Sequence, residues 1–325
     1  MKIIFAGSPA IAVRSLEALV RLQISRGICE LCGVLTNPDA ARGRSGTPRP
    51  TDITCAAEQL SQELVQAGFA VPRILKFPRL DHTAVTETAS LKADLLVSFA
   101  YGHIFPQEFL ALFPLGAINI HPSLLPAYRG ASPLQQALLD RVHETGVTIQ
   151  RLAEKLDAGA VLAQEILALN GRETSLLLSD RASELAAGML GGIVEQIAAR
   201  TVSECVQDEQ KATYCRQFCK ADGEIDWRRS AGEIDAQIRA FTPWPLSWTR
   251  CNGQELYIRA GSPYDIVCTK GIPGTVLGID KYAGLLIQTG DGVFAATRLQ
   301  WTARKELDWK DFINGARQLT GAVLG

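Results

Sequence analysis

The sequence predicts an α/β protein with a mostly parallel, Rossmann-like sheet, followed by a small β-barrel domain. Three observations carry that reading. The chain has 325 residues, enough for about two domains at ~150 residues each. Up to about residue 200, strand-like and helix-like apolar patterns alternate, as they do in parallel βαβ units. Beyond Pro245 the pattern changes to short strand-like runs separated by turn residues.

The elements follow in order. Lys2–Ala6 is a short apolar strand, and after Gly7-Ser8-Pro9 a helical pattern runs to about Arg26. Ile28–Thr36 reads as the second strand, Asn37–Arg49 as a Pro/Gly/Arg-rich loop without apolar period, and Thr51–Ala67 as helix. Val71–Leu75, Asp94–Ala100 and Ala117–His121 are further strands, while Val147–Leu152 and Ala160–Leu167 alternate. Ser175–Ala199 has helical spacing of Leu, Ala and Ile. Thr201–Lys211 is polar and mixed, which suggests domains at 1–200 and 212–325 joined by a linker at 201–211. Ile225–Phe241 begins helically. Ser247–Cys251, Leu256–Ala260, Gly274–Ile279, Gly284–Thr289 and Val293–Leu299 then read as five short strands. An OB-type barrel, a fold that often binds nucleic acids or sugars, and a plain β accessory domain both fit this pattern.

Composition sets the class. Apolar residues make up 47% and charged residues 21%, which excludes disorder, collagen and coiled coil. The net charge of −1 speaks against a broad basic surface for nucleic acid. The halves differ, however. Residues 211–325 hold 15 basic and 12 acidic residues (net +3), and residues 1–210 hold 18 and 22 (net −4). That is the sign expected if the second half touches a polyanion. Met1–Gly7 reads as a strand rather than a signal peptide. No apolar run approaches the ~20 residues of a membrane span, so a reducing cytoplasm is expected. Cys29-Glu30-Leu31-Cys32 is a C-x-x-C, but no second pair has matching spacing. Three apart in a strand, the two thiols point to opposite faces and read as structural.

Ligands of open α/β sheets bind beyond the carboxyl ends of the strands, so the segment starting at Asn119 draws attention. Asn119 and His121 are two apart and project from one strand face. A carbonyl attacked by an amine needs a neutral donor for the oxyanion and a group that titrates near neutrality. A satisfied core histidine beside a turn asparagine accounts for the spacing equally well. Asp157, in Leu156-Asp157-Ala158-Gly159, can orient an imidazole, although Asp-x-Gly is also an ordinary turn. Neither a P-loop nor a G-x-G-x-x-G is present.

Taken together, Asn119-x-His121-x-Ser123-Leu124-Leu125-Pro126, Tyr128-Arg129-Gly130-Ala131-x-Pro133, Glu144-Thr145-Gly146-Val147-Thr148 and Leu156-Asp157-x-Gly159 closely resemble the folate-dependent formyltransferase family. Other segments are similar to the members acting on methionyl-tRNA: Ile3–Pro9, Asn37-Pro38-Asp39 with the Arg42/Arg44 loop, Ile225-Asp226-Trp227, Ile238–Phe241, Pro243-Trp244-Pro245 and Gly290–Val293. The resemblance spans both domains, roughly residues 1–318. Ala10-Ile11 stands where an acidic-aromatic pair is frequent, and Pro122 where glycine is. The basic loop lacks the usual lysine pair, with Arg49 nearby to compensate.

The resemblance implies the formyltransferase fold with an OB-like, tRNA-binding C-terminal domain. It also implies formyl transfer from 10-formyltetrahydrofolate to the amine of methionyl-initiator tRNA. Asn119 would hold the oxyanion, His121 would stabilise charge or relay a proton, and Asp157 would hold His121. Folate would lie near Ser123, Leu124, Leu125 and Pro126 and near the 95–102 segment, including Phe99, Tyr101 and Gly102. Arg42, Arg44 and Arg49, with Arg304 and Lys305, would contact tRNA. No metal is required, and a cytoplasmic monomer is expected. The competing expectation is a formyltransferase for a small amine or a sugar-nucleotide amine.

Overall fold

The computed structural model describes residues 1–41, 46–265, 271–316 and 319–325. The chain divides into two compact units. The first comprises Met1–Gly130, Glu144–Ala168 and Ser179–Tyr214, and the second comprises Ala131–His143, Leu169–Leu178 and Cys215–Gly325.

The first unit is built on a seven-stranded sheet. Its strands are β1 (Lys2–Gly7), β2 (Glu30–Thr36), β3 (Arg73–Lys76), β4 (Leu95–Phe99), β5 (Ala117–His121), β6 (Glu144–Arg151) and β7 (Val161–Ala168). Their order is β7-β6-β5-β4-β1-β2-β3. The ladders from β5 through β4 and β1 to β3 are parallel, whereas β6 runs antiparallel to β5 and β7 antiparallel to β6. The central strands are apolar on both faces because helices cover both. Ile3, Ile4, Phe5, Leu95, Leu96 and Val97 are all fully buried.

Helices α1 (Val13–Arg26), α2 (Asp52–Gln66), α3 (His82–Ala89) and α4 (Gln107–Leu110) follow successive strands. The Thr51 hydroxyl caps α2 by accepting from the Thr54 amide, and Asp81 caps α3. On α6 (Ser175–Ala199), Ala182, Ala186, Leu190, Val194 and Ile197 form one buried face at helical spacing.

The strand order reverses between β1 and β4, and α/β ligand crevices open at such a reversal. Asn37 ties three strand ends together there. Its amide N–H donates to Ser8 Oγ at 3.2 Å and its side chain donates to the Tyr101 carbonyl at 3.2 Å. The expected loop at 37–49 carries a short antiparallel pairing of Ala40–Ala41 with Pro48–Arg49. The Cys29 and Cys32 sulfurs contact the carbonyls of Leu19 and Ile3. Burial pushes both thiols up to about 11, far from thiolate character.

The second unit holds α5 (Pro133–Leu139), α7 (Ala231–Ala240), α8 (Trp309–Asn314) and an antiparallel sheet. Its strands are β8 (Ser247–Cys251), β9 (Gln254–Tyr264), β10 (Val276–Asp280), β11 (Gly284–Gln288) and β12 (Val293–Trp301), in the order β8-β9-β12-β11-β10. The five expected short strands are present. No ladder among the described residues joins β8 to β10 directly. Ile234, Ile238, Leu256, Leu285, Phe294, Leu299 and Phe312 form the unit's core. Ser230 and Glu233 cap α7 reciprocally, which starts the helix at Ala231 rather than near Ile225.

The units interleave along the chain where the apolar pattern suggests one boundary near residue 200. Residues 131–143 and 169–178 belong to the second unit. For 169–178 the reason is bonding to a distant stretch of chain: Ser175 Oγ donates to the Thr242 carbonyl at 2.7 Å, and Arg239 donates to the Glu173 carbonyl at 3.1 Å. Residues 201–211, expected as a linker, belong to the first unit, where Cys205 bridges Val161. No helix among the described residues is long and apolar enough to cross a membrane.

Phe5 sits at the centre of β1 with no exposed surface. Phe5→Ala should cost about 3–5 kcal/mol of stability, read from denaturant unfolding. A loss below about 1 kcal/mol would mean that β1 is not the core of the sheet.

Candidate active site

Three side chains converge at the carboxyl ends of β4 and β5. In the register of the sheet, Asn119 lies beside Ser98 on one side and opposite Gln150 on the other, and His121 lies opposite Thr148. Alternation along β5 puts Asn119 and His121 on one face, as the sequence suggests. Asp157 comes from the turn that joins β6 to β7. That turn folds Gly159 onto the strand it has just left, and a Cβ on Gly159 would lie 1.9 Å from the Arg151 carbonyl. Only glycine fits, and its neighbour Asp157 is held at φ +51°.

The Asp157 carboxylate, only 8% exposed, is surrounded by donors. Oδ2 accepts from the Gly130 amide at 2.9 Å, and Oδ1 accepts from Gln150 Nε2 at 3.0 Å. The Asn119 amide reaches Oδ1 at 3.5 Å, a long contact that leaves its donor able to turn to another acceptor. His121 Nδ1 stands 3.6 Å from Oδ2. On the other side of the ring, Nε2 lies 2.9 Å from the Tyr128 carbonyl. A carbonyl can only accept, so Nε2 carries the proton and Nδ1 is the nitrogen free to take one up. The result is a buried carboxylate, a base with a defined tautomer and a neutral amide donor.

The 123–126 segment is a rigid shelf beside them. Ser123 Oγ donates to the Ala127 carbonyl at 2.6 Å, so the hydroxyl is used within the loop. Thr148 Oγ1 donates to the Ser123 carbonyl and accepts from the Leu125 amide, and Gln164 donates to the Leu125 carbonyl. Leu124 packs over Gly146, where a Cβ would come within 2.4 Å of it.

Phe99 and Tyr101, expected near folate, point into the apolar core at 0% and 2% exposure. Tyr101 stacks on Phe105 at 5.3 Å, and burial pushes its hydroxyl up to about 12. What this segment offers a ligand is backbone, with Ala100 and Gly102 both at positive φ. Arg49 is exposed beside Pro48, while Arg42 and Arg44 lie outside the described residues. Arg304 and Lys305 are exposed in the turn after β12 in the second unit. Among the described residues, no group of three or more His, Cys, Asp and Glu side chains could hold a metal.

Sequence reasoning missed a supporting layer. The Arg129 guanidinium is fully buried. It donates to Gln207 Oε1 through Nε (3.1 Å) and Nη2 (2.8 Å), and to Glu209 at 2.7 Å. Lys155 holds the other Glu209 oxygen at 2.6 Å. Gln150 had a signal, a polar residue alternating with Thr148 on a buried strand. Gln207, in a polar stretch without period, had none.

The chain is similar to known proteins over most of its length. Residues 1–192 match the family model "Formyl transferase", and residues 218–317 match "Formyl transferase, C-terminal domain". The methionyl-tRNA formyltransferase of Treponema denticola is 41% identical over 97% of this chain and 97% of its own length. That of Stutzerimonas stutzeri is 36% identical over 100% and 98%. Among solved structures, an N-formyltransferase from Helicobacter canadensis, in complex with folinic acid and dTDP-3-aminofucose, aligns with a TM-score of 0.64. It is 19% identical and covers 91% of this chain and 99% of that one. HypX from Aquifex aeolicus in complex with tetrahydrofolic acid aligns at 0.63 and 17% identity, covering 98% of this chain and 48% of that one. At those identities the likeness is one of fold.

The Arg129 hydrogen bond, then that of Lys155, draws the Glu209 carboxyl from 4.5 down to about 2. A depressed carboxyl contributes stability that is present above its ordinary value and lost as pH falls toward the folded one. Unfolding of wild type and Glu209→Gln should therefore differ at pH 7 and converge between pH 4.5 and 2. A gap that stays constant down to acid would contradict the linkage.

Proposed function

The chain belongs to the formyl transferase family, and from that premise we propose that it transfers a formyl group from 10-formyltetrahydrofolate to the free amino group of methionyl-initiator tRNA. The observation that carries the proposal is the convergence of Asn119, His121 and Asp157 at the sheet's carboxyl edge, in a chain with full-length similarity to methionyl-tRNA formyltransferases.

The amine attacks the formyl carbon, a new C–N bond forms, and the carbonyl oxygen becomes an oxyanion. Asn119, loosely held in the resting site, turns its amide N–H to that oxygen. His121 Nδ1 takes the proton that the amine gives up. The imidazolium so formed is stabilised by Asp157, 3.6 Å away, while the Tyr128 carbonyl keeps the ring from rotating. The intermediate collapses by breaking the bond to N10 of the folate, which receives the proton through a water placed by Asp157. The shelf at Ser123, Leu124, Leu125 and Pro126 and the backbone at 99–102 flank the folate.

The second unit, with Arg304 and Lys305, contacts tRNA phosphates, and Arg42, Arg44 and Arg49 meet the acceptor stem. The protein works as a cytoplasmic monomer, with folate and initiator tRNA as its partners.

The deciding assay compares formylation of methionyl-tRNA, free methionine and a sugar-nucleotide amine. Only the first should turn over efficiently, and preference for the sugar-nucleotide amine would replace the proposal with the alternative substrate class. Asn119→Ala, His121→Ala and Asp157→Ala should each lower kcat by at least ~10²–10³-fold with the fold intact. Near-normal turnover of His121→Ala would remove it from the mechanism. Arg42→Ala should weaken tRNA binding and reduce its salt dependence in a filter-binding titration. Wild-type binding and formylation at every salt concentration would exclude the loop.

A further inference from the structure

The carboxylate at Asp157 is placed by its backbone, and one buried side chain grips that backbone from outside. Gln207, 8% exposed, donates through Nε2 to the Asp157 carbonyl at 2.9 Å and to the Gly159 carbonyl at 2.7 Å. The same nitrogen lies 3.2 Å from Gln150 Oε1, and Gln150 is itself a donor to the carboxylate. We infer that Gln207 is a positioning residue for Asp157, its amide oriented by the buried Arg129 guanidinium so that its N–H groups hold the left-handed turn. The inference rests on the proposed role of Asp157.

The orientation follows from hydrogen-bond chemistry. A glutamine amide can present oxygen or nitrogen to either side, and only its partners decide. A guanidinium has donors alone, and two of them, Nε and Nη2, face one atom of Gln207. That atom must be the oxygen, which turns the NH₂ group to the two carbonyls. Arg129 cannot easily move to allow another arrangement. Its side chain is removed from water and held by Glu209, and its backbone N–H donates to the Thr213 carbonyl at 2.9 Å. A buried cation without such partners is costly, so Arg129 is a fixed reference point.

The turn needs that reference. Asp157 adopts φ +51°, a conformation that residues with a Cβ occupy only when their surroundings hold them there. Donors to the carbonyls at 157 and 159 clamp both ends of the turn. Facing those carbonyls with an acceptor pushes the turn away, and a displacement of ~1 Å at a reacting group costs on the order of 100-fold in rate.

Gln207→Glu in the full-length protein is the test. Glutamate keeps the shape and strengthens the pairing with Arg129, but turns an oxygen toward the two carbonyls. In single-turnover formylation of methionyl-tRNA, kcat should fall about 100-fold with KM for tRNA and for the folate unchanged. In an Asp157→Asn background the same substitution should cost nothing further, because the group it positions is gone. A merely structural role would instead lower the thermal unfolding midpoint and multiply with Asp157→Asn. If Gln207→Glu does not accumulate as folded protein, Gln207→Met, of similar length and without the donors, runs the same cycle. Parental turnover in the Gln207 variant beside an impaired Asp157→Asn overturns the inference alone, as do losses that multiply. Parental turnover of Asp157→Asn overturns the reading of the site and the inference with it.

Discussion

The burial of one carboxylate governs the arrangement of the first unit's functional end. Asp157 is almost removed from water, and a carboxylate in that position is tolerated only when donors surround it. The Gly130 amide and the Gln150 side chain meet that requirement, the Asn119 amide adds a longer contact, and the His121 ring lies beside them. Each donor arrives on a different stretch of chain, so satisfying the charge forces β5, β6, the 128–130 segment and the 152–160 turn into one geometry. The turn itself costs on the order of 1–2 kcal/mol for a residue with a Cβ, and aspartate bears that better than most. Gln207 offsets it through two carbonyls.

The sheet explains why those stretches can meet. A wholly parallel sheet would bring β6 in beside β5 from the opposite end, with a long crossover between them. Here β6 runs antiparallel to β5, so His121 faces Thr148 and Asn119 faces Gln150 across one ladder. The strand end that carries the base is thereby level with the polar residues of β6, and the turn leaving β6 delivers Asp157 next to both. Thr148 serves a second purpose in the same row, since its hydroxyl fixes the backbone of Ser123 and Leu125. The shelf and the reacting groups share one support.

Much of this was readable from residue order, and the limits have physical causes. Buried strands and amphipathic helices leave a local period, which is why α6 spans the expected Ser175–Ala199 and the strands of the second unit fall on the expected runs. Asn119 and His121 were legible because a strand period of two puts them on one face. Asp157 was legible as a turn aspartate beside Gly159, although the need for glycine there comes from a carbonyl on another residue. The membership of 131–143 and 169–178 in the second unit was not readable, because a period marks an apolar face and not the surface that covers it. Gln207 and Arg129 were invisible as support for the same reason. Their bonds cross 78 positions of sequence and impose no local pattern. Phe99 and Tyr101 were ambiguous, because an aromatic residue at a strand end looks the same whether it lines a site or fills a core.

Charge repeats that lesson at the scale of the surface. The net charge of each half says little about a polyanionic partner, because a cation already holding a carboxylate releases fewer counterions from a phosphate backbone. Arg14, Arg26, Arg73 and Arg151 in the first unit, and Arg216, Arg228, Arg239 and Arg298 in the second, are all in ion pairs. Even the cations around the Trp248 ring, Lys220 and Arg250, are paired with Glu255 and Glu224. Arg304 and Lys305 differ in kind, being exposed in a turn without an ion pair among the described residues. Whatever the net charge of the second unit, the cations that its ion pairs leave uncommitted include these two at a turn.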